Sequence, residues 1–472
     1  MRSTPHIPQL LAAALIFALG GCAVGPAYQR PATPEVAAYK ALAGWALAAP
    51  ADALERGPWW QLFNDPALDQ LAARVEVSNQ NVAQAVAAYA RARALVREQR
   101  ASLFPSVTLG GGASRSHSSG SSGTASGGRT ANSYNASIGA SWEPDVWDRL
   151  GRGVASASAS AQASAADLAS ARLSAQGELA INYLSLRQLD AQKALLQTTL
   201  DGYRRTLDIG QNRYAAGIAA RTDVLQAQTQ LANAQADDAG LERQRAQLEH
   251  AIAVLVGEAP GNFSLAPAAW RPTVPDVPVG LPSTLLQRRP DIASAERRVA
   301  AANAQIGIAQ SAYYPSLPLS ASYGVGASRV ADLFSLSSSA WSLGLSAAQT
   351  LFNAGATRAR VEGSEAAQSQ AVAAYRQTVL AAFQNVEDQL AATRVLLIQQ
   401  DLRRQASEAA DQVEQQVLNR YRSGQVGFTE VITAQTTALN ARRALVQALA
   451  DRQTTAVALI QSLGGGWQAD PQ

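Results

Sequence analysis

The chain has 472 residues, 47% of them hydrophobic, and a formal net charge of +3. Met and Cys occur once each while Ala, Ser, Gln and Leu dominate, a composition that suits long, closely packed helices better than a thick globular core. So small a charge over this length leaves no electrostatic footprint for nucleic acid, and no such partner is expected.

Near the start of the chain, Arg2 is followed by the apolar run Leu10 to Leu19 and then Leu19-Gly20-Gly21-Cys22. A basic start, a short apolar core and small residues before a cut site predict a signal peptide over residues 1–21, too short to span a bilayer comfortably. Cys22 is the only cysteine, which excludes an intrachain disulfide. The alternatives for it are an incidental buried thiol and a lipid attachment site. Leu-Gly-Gly-Cys is similar to a bacterial lipobox, which implies cleavage before Cys22 and acylation of its thiol and new amine. Several acyl chains would anchor the chain firmly, at about 0.8 kcal/mol per buried methylene. Ala23 stands where an aspartate signals retention at the inner membrane, so the outer membrane is the expected destination. Residues 22–65, rich in Pro and Ala to about residue 57, read as a lipid-anchored arm.

Helical patterning runs from Pro66 to about Ser102, from about Gly151 to Val256, from Pro282 to Ala312, and from Gly355 to Leu463. Breaks are expected only near Gly217 and Gly424. Leu196, Leu200, Tyr203 and Leu207, and again Leu241, Leu248, Ile252 and Leu255, follow the heptad rhythm of a coiled coil. Val154 to Ala171 is almost all Ala and Ser, without Pro or Gly; the alternatives are a low-complexity tract and a helix, and its Ala content predicts helix. A helix from Gly151 to Gly210 would be about 90 Å long, which suggests a rod or a tube wall.

Four short segments alternate apolar and small polar residues: Val107 to Ala113, Tyr134 to Trp142, Leu317 to Val325 and Trp341 to Ser346. A period of two predicts strands with one apolar and one Ser/Gly/Asn face. The Ser/Gly stretch Arg115 to Thr130 and the stretch Gly326 to Ser339 are the expected hairpin loops. Helix, hairpin, long helix, tip and long helix thus occur twice, over residues 66–281 (hairpin 103–147) and 282–463 (hairpin 315–353), with a tail over 464–472. Leu103 to Val107 aligns with Tyr313 to Leu317. RYAAGIAARTDVLQAQ from Arg213 aligns with RYRSGQVGFTEVITAQ from Arg420, 207 positions later.

Four strands cannot close a barrel, and open edges in lipid would cost several kcal/mol per unpaired backbone group. A soluble sandwich is the alternative, but four strands make a poor one, and uncharged polar faces suit a water-filled lumen. Two chains would supply eight strands and three chains twelve; only twelve leave an open channel.

GCAVGPAYQRP from Gly21, WWQLFNDPALDQL from Trp59 and RRPDIASAERRVAAANAQIGIAQSAYYPSL from Arg288 resemble the TolC-like outer-membrane factor family, in its lipoprotein branch paired with resistance-nodulation-division (RND) pumps. The resemblance covers essentially the whole mature chain. It implies a mainly α fold of long coiled-coil helices forming a helical barrel, with a transmembrane β-barrel completed by a homotrimer. It implies a passive exit duct in the outer membrane, its helices in the periplasm, energised by an inner-membrane RND pump through a periplasmic adaptor. No cofactor is expected beyond a covalent lipid on Cys22. No metal-binding histidine set, nucleophile arrangement or acid–base pair suggests an enzyme.

The resemblance further makes the two RY segments periplasmic tips. Family positions of the narrow mouth match Tyr214 and Asp223 in the first repeat and Tyr421 and Glu430 in the second. A threefold axis would turn each acid into a ring; the alternative is a solvated first-turn acid favoured by the helix dipole. Val426 and Thr433 depart from the basic residue and the aspartate of some relatives, so the locking contacts differ or are weaker; Arg213 and Arg420 are the substitute candidates, the alternative being arginines simply solvated on an exposed helix. Adaptor docking is expected around Gly217, Thr222, Gly424 and Thr429. Trp142, Tyr323 and Trp341 are candidate membrane-interface aromatics; Trp147 is either another or a packing residue. An exit duct for protein secretion and a poreless coiled-coil lipoprotein are the competing functions.

Overall fold

The computed structural model describes residues 24–33, 58–118, 129–275, 277 and 289–465. The signal segment, Cys22 and Arg288 lie outside them.

Pro66–Ser78 forms α1. Its N-cap Asp65 accepts the amides of Ala67 and Leu68 at 3.0 and 3.4 Å, and Pro66 sits where no amide is needed. The single helix expected from Pro66 to Ser102 is instead broken at Asn79, and α2 spans Gln80–Ala101. The Asn79 amide group donates to the Leu255 carbonyl at 2.8 Å, while its oxygen accepts Asn81 and Val82 N–H at 2.9 and 3.1 Å. That side chain competes with the helical ladder and wins.

Strands β1 (Ser106–Ser118) and β2 (Arg129–Trp142) follow, then α3 (Arg149–Ala215) and α4 (Arg221–Leu255). The second half consists of α5 (Pro290–Ser311), β3 (Leu319–Ala327), β4 (Ser339–Leu345), α6 (Ala356–Arg422) and α7 (Phe428–Ser462). Helices α3 and α6 have 67 residues each, and α4 and α7 have 35 each. Every boundary of the later pair lies 207 residues after its counterpart, so the tandem repeat extends to single-residue register. The first hairpin is longer than its alternation suggested, since the strands take in residues 115–118 and 129–130. β3 begins at Leu319 rather than Leu317; Ser316 makes only an isolated bridge to Ala348.

The chain divides into two compact units. One holds Tyr89–Ser164, Ala295–Tyr375 and the described residues up to Ala32. Its four strands form one antiparallel sheet in the order β1-β2-β3-β4.

The second unit holds Ala165–Ser294, the residues from Arg376 onward and the segment up to Ala88. Leu196, Leu200 and Tyr203 of the expected seam pack with Leu241 and with Leu439 of α7. The connection after α4 is pinned by polar groups. Arg187 and Arg245 both hold Asp190 at 2.8 Å, and Glu249 accepts the Leu265 amide at 2.6 Å. Gln453, 1% exposed, donates to the carbonyls of Arg271 and Thr273. Every member of this buried set is hydrogen-bonded, which is the condition for burying it at all. Among the described residues no helix is long and apolar enough to cross a membrane.

Candidate channel tip and membrane-facing sheet

Both long helices end in the same turn. At the first tip Gly217 N–H donates to the Tyr214 carbonyl at 2.9 Å, and Ile218 N–H donates to the Arg213 carbonyl at 2.8 Å. At the second, Gly424 and Gln425 repeat these bonds to Tyr421 and Arg420 at 3.0 and 2.9 Å. Gly217 and Gly424 have φ of +71° and +77° with open space around both, so backbone conformation rather than crowding demands glycine. Neither following helix has a side-chain N-cap. Asp223 and Glu430 each occupy the first turn of that helix, where the dipole favours an acid.

The side chains then diverge. Tyr214 is 46% exposed, whereas Tyr421 is 4% exposed and packs with Ala227, Phe428 and Val431. The Tyr421 and Phe428 rings lie 5.6 Å apart. Arg213 reaches across from the first tip. Its guanidinium lies 4.7 Å from the Tyr421 ring centre, and Nη1 donates to the Tyr421 carbonyl at 2.9 Å. That carbonyl belongs to the last turn of α6, where a cation is favoured. The Tyr421 hydroxyl is buried with no hydrogen-bond partner among the described residues. Burial pushes its phenol above the usual range, Arg213 pulls it down and Asp223 raises it again, so the ring is neutral.

Arg420, Glu430, Thr222 and Thr429 are exposed, and Asp223 is half-buried. Glu430, Thr429 and Thr433 line a groove of about 360 Å³ between α6 and α7, walled by Val413 and Val417. Val426 packs partly buried against the Tyr421 cluster, and the Thr433 hydroxyl turns back to the Thr429 carbonyl at 2.9 Å. Phe428 is the residue the sequence reading missed: 207 positions earlier stands Arg221, and only that comparison reveals the apolar partner.

In the sheet, Leu109 faces Ile138, Ile138 faces Tyr323 and Tyr323 faces Trp341, one apolar row across all four strands. Val107, Ala140, Ala321 and Leu343 make the next. Between them runs Thr108, Gly139, Ser322 and Ser342, with Ser322 and Ser342 hydroxyls 2.8 Å apart. The apolar rows are uncovered in the single chain: Leu109 is 84% exposed and Trp341 75%. From the Trp142 row to the Tyr134 row is eight residue steps of β2, about 26 Å along the strand, which a strand tilt of about 40° turns into about 20 Å of height, most of an outer-membrane apolar band. Trp142, Tyr323 and Trp341 do not form one ring. Tyr323 and Trp341 lie four residues up from the Trp142 row. Trp142 Nε1 donates to the Leu103 carbonyl at 2.9 Å, while Trp147 stacks on Tyr314 at 4.8 Å and donates to the Pro315 carbonyl.

The sequence profile of the outer membrane efflux protein family matches twice, over residues 64–258 and 281–465. The pyoverdine export outer membrane protein OpmQ of Pseudomonas aeruginosa is 33% identical over 98% of this chain and 97% of its own length. The toluene efflux pump outer membrane protein TtgC of Pseudomonas putida is 32% identical over 96% of this chain and 94% of its own. The solved outer-membrane channel OprN superposes with a TM-score of 0.86 at 31% identity, over 95% of this chain and all of that one. The doubled order of elements, the sheet with one apolar and one polar face, and these likenesses together place the protein in the outer membrane, and the chain belongs to the outer membrane efflux protein family.

Proposed function

We propose that three copies of this chain close one twelve-stranded barrel and form the passive exit duct of a tripartite efflux pump. The observation that carries this reading is the sheet: among the described residues no strand pairs with the outer side of β1 or β4, and the large apolar side chains Val107, Leu109, Ile138, Tyr323, Trp341 and Leu343 are exposed in a single chain. Such a sheet is stable in lipid only when other copies pair those edges. Twelve strands leave a lumen lined by the Ser, Thr, Gly and Asn rows.

The hairpin tips are then the periplasmic mouth, held by Arg213 on Tyr421 within each chain in place of the charged lock that Val426 and Thr433 do not supply. The tip loops at Gly217 to Thr222 and Gly424 to Thr429, with the groove beside Thr429, are the docking surface for a periplasmic adaptor. An inner-membrane RND pump supplies the energy. A covalent lipid on Cys22 anchors the chain, and the family is one of channels rather than enzymes. Native mass spectrometry of the detergent-extracted protein tests the assembly. Three copies are expected, and a stable monomer would overturn the barrel. Cys22→Ser is expected to abolish palmitate labelling; retained labelling would remove Cys22 as the anchor.

A further inference from the structure

Two stretches that carry the family resemblance, one beginning at Gly21 and the other at Arg288, meet in the first unit. Gly25 has φ +111°, and a Cβ there would lie 2.5 Å from Gly307 Cα on α5. A Cβ on Gly307 would lie 2.9 Å from the Val24 carbonyl. Backbone therefore crosses backbone at a point where both sides must be glycine. On either side of the crossing the arm is tied down. The Pro26 carbonyl accepts Asn303 Nδ2 at 3.1 Å and Arg152 Nη1 at 3.3 Å. Tyr28 donates to Glu296 at 2.8 Å, and Arg30 Nε donates to the Tyr375 hydroxyl at 3.4 Å. Glu296 and Asn303 are 8% and 6% exposed and Tyr375 is fully buried, so the arm fastens to groups already fixed by packing. Burial and the Glu296 carboxylate both push the Tyr28 phenol up, which keeps it the donor.

We infer that Val24 to Arg30 is a clasp, closed by the Gly25–Gly307 crossing, that seats the lipid-bearing end of the chain at the foot of the sheet. The clasp stands on its own contacts; only the lipid rests on the proposed acylation of Cys22. Two residues of chain reach at most about 7 Å, and Val24 N–H points to the Trp147 carbonyl at 3.5 Å. Trp147 stands five residues after Trp142, the last residue of β2, and is itself fixed on Tyr314 and Pro315. The acyl chains are delivered where the apolar strand rows begin, so lipid and strands enter the bilayer at one level. An unclasped Pro/Ala arm would leave that level unset.

Hydrogen exchange read by mass spectrometry on the full-length lipidated protein tests the clasp. In wild type, amides between Val24 and Arg30 should exchange at least tenfold more slowly than in Gly25→Ala. That substitution lies in the arm, so α5 and sheet amides should keep their protection. Asn303→Leu, which removes one donor to Pro26, should give a smaller increase in the same amides. Equal exchange in wild type and Gly25→Ala would overturn the clasp. Absence of palmitate from wild-type protein would overturn the lipid's seat and leave the protection result standing as a separate finding.

Discussion

Tyr214 at the first tip is 46% exposed and Tyr421 at the second is 4% exposed, although both precede a glycine of the same φ in the same hydrogen-bonded turn. The difference begins one helix later. Position 428 is Phe where position 221 is Arg, and Phe428 gives Tyr421 an apolar wall. With that ring turned inward, its outer face and its carbonyl are open to Arg213, while the equivalent Arg420 stays exposed. Duplication supplied two like backbone turns; the change from Arg at 221 to Phe at 428 made one of them the holder and the other the held. The mouth is therefore expected to depend on the two tips unequally.

The largest effect should come from Phe428→Ala. Removing a buried ring typically costs about 3 to 5 kcal/mol, whereas Arg221→Ala should stay within about 0.5 kcal/mol as a surface change. Hydrogen exchange of the tip amides measures both, and equal losses would break the asymmetry.

Arg213→Ala comes next. It removes a charged hydrogen bond and a cation–ring contact worth about 2 kcal/mol together, or about thirtyfold in the held population. Arg420→Ala should change that population less than about twofold, by the same surface argument. Tip cross-linking yield, or antibiotic leakage into cells carrying each variant, separates the two.

Gly217→Ala and Gly424→Ala should be alike, each costing about 1 to 2 kcal/mol for a left-handed backbone. Thermal unfolding of the assembly compares them, and a large difference would mean that the turns are not equivalent after all. The smallest change is expected for Tyr421→Phe. Its hydroxyl is buried without a partner among the described residues, so deleting it should be neutral or stabilising by up to about 1 kcal/mol. A clear destabilisation would show that the hydroxyl finds a partner in the assembled protein.

What could be read in the sequence follows from how local each cause is. The strands were legible because one face is apolar and the other small and polar, and the tips because a left-handed turn needs glycine. The register across β1 to β4 carried the same alternation into a single sheet. The break at Asn79 was not legible, since its cause is the Leu255 carbonyl, 176 residues away. The burial of Tyr421 was hidden for the same reason: its ring partner is close in sequence, but the arginine that covers it comes from the other repeat. The first-turn acids Asp223 and Glu430 show the opposite limit. Their dipole placement is evident, yet nothing within one chain distinguishes a ring of acids from ordinary first-turn residues. Residue type alone marks Trp142, Tyr323 and Trp341 as interface candidates; only the register reveals that they occupy two levels along the strands.

Single-channel recording of the purified assembly in planar bilayers tests the central claim most directly, with wild type, Arg213→Ala and Arg420→Ala side by side. A duct held at its mouth by Arg213 should conduct weakly as wild type, open far more often as Arg213→Ala and behave as wild type in Arg420→Ala. An assembly that never conducts in any of the three would contradict the duct itself, and equal conduction by all three would contradict the unequal tips.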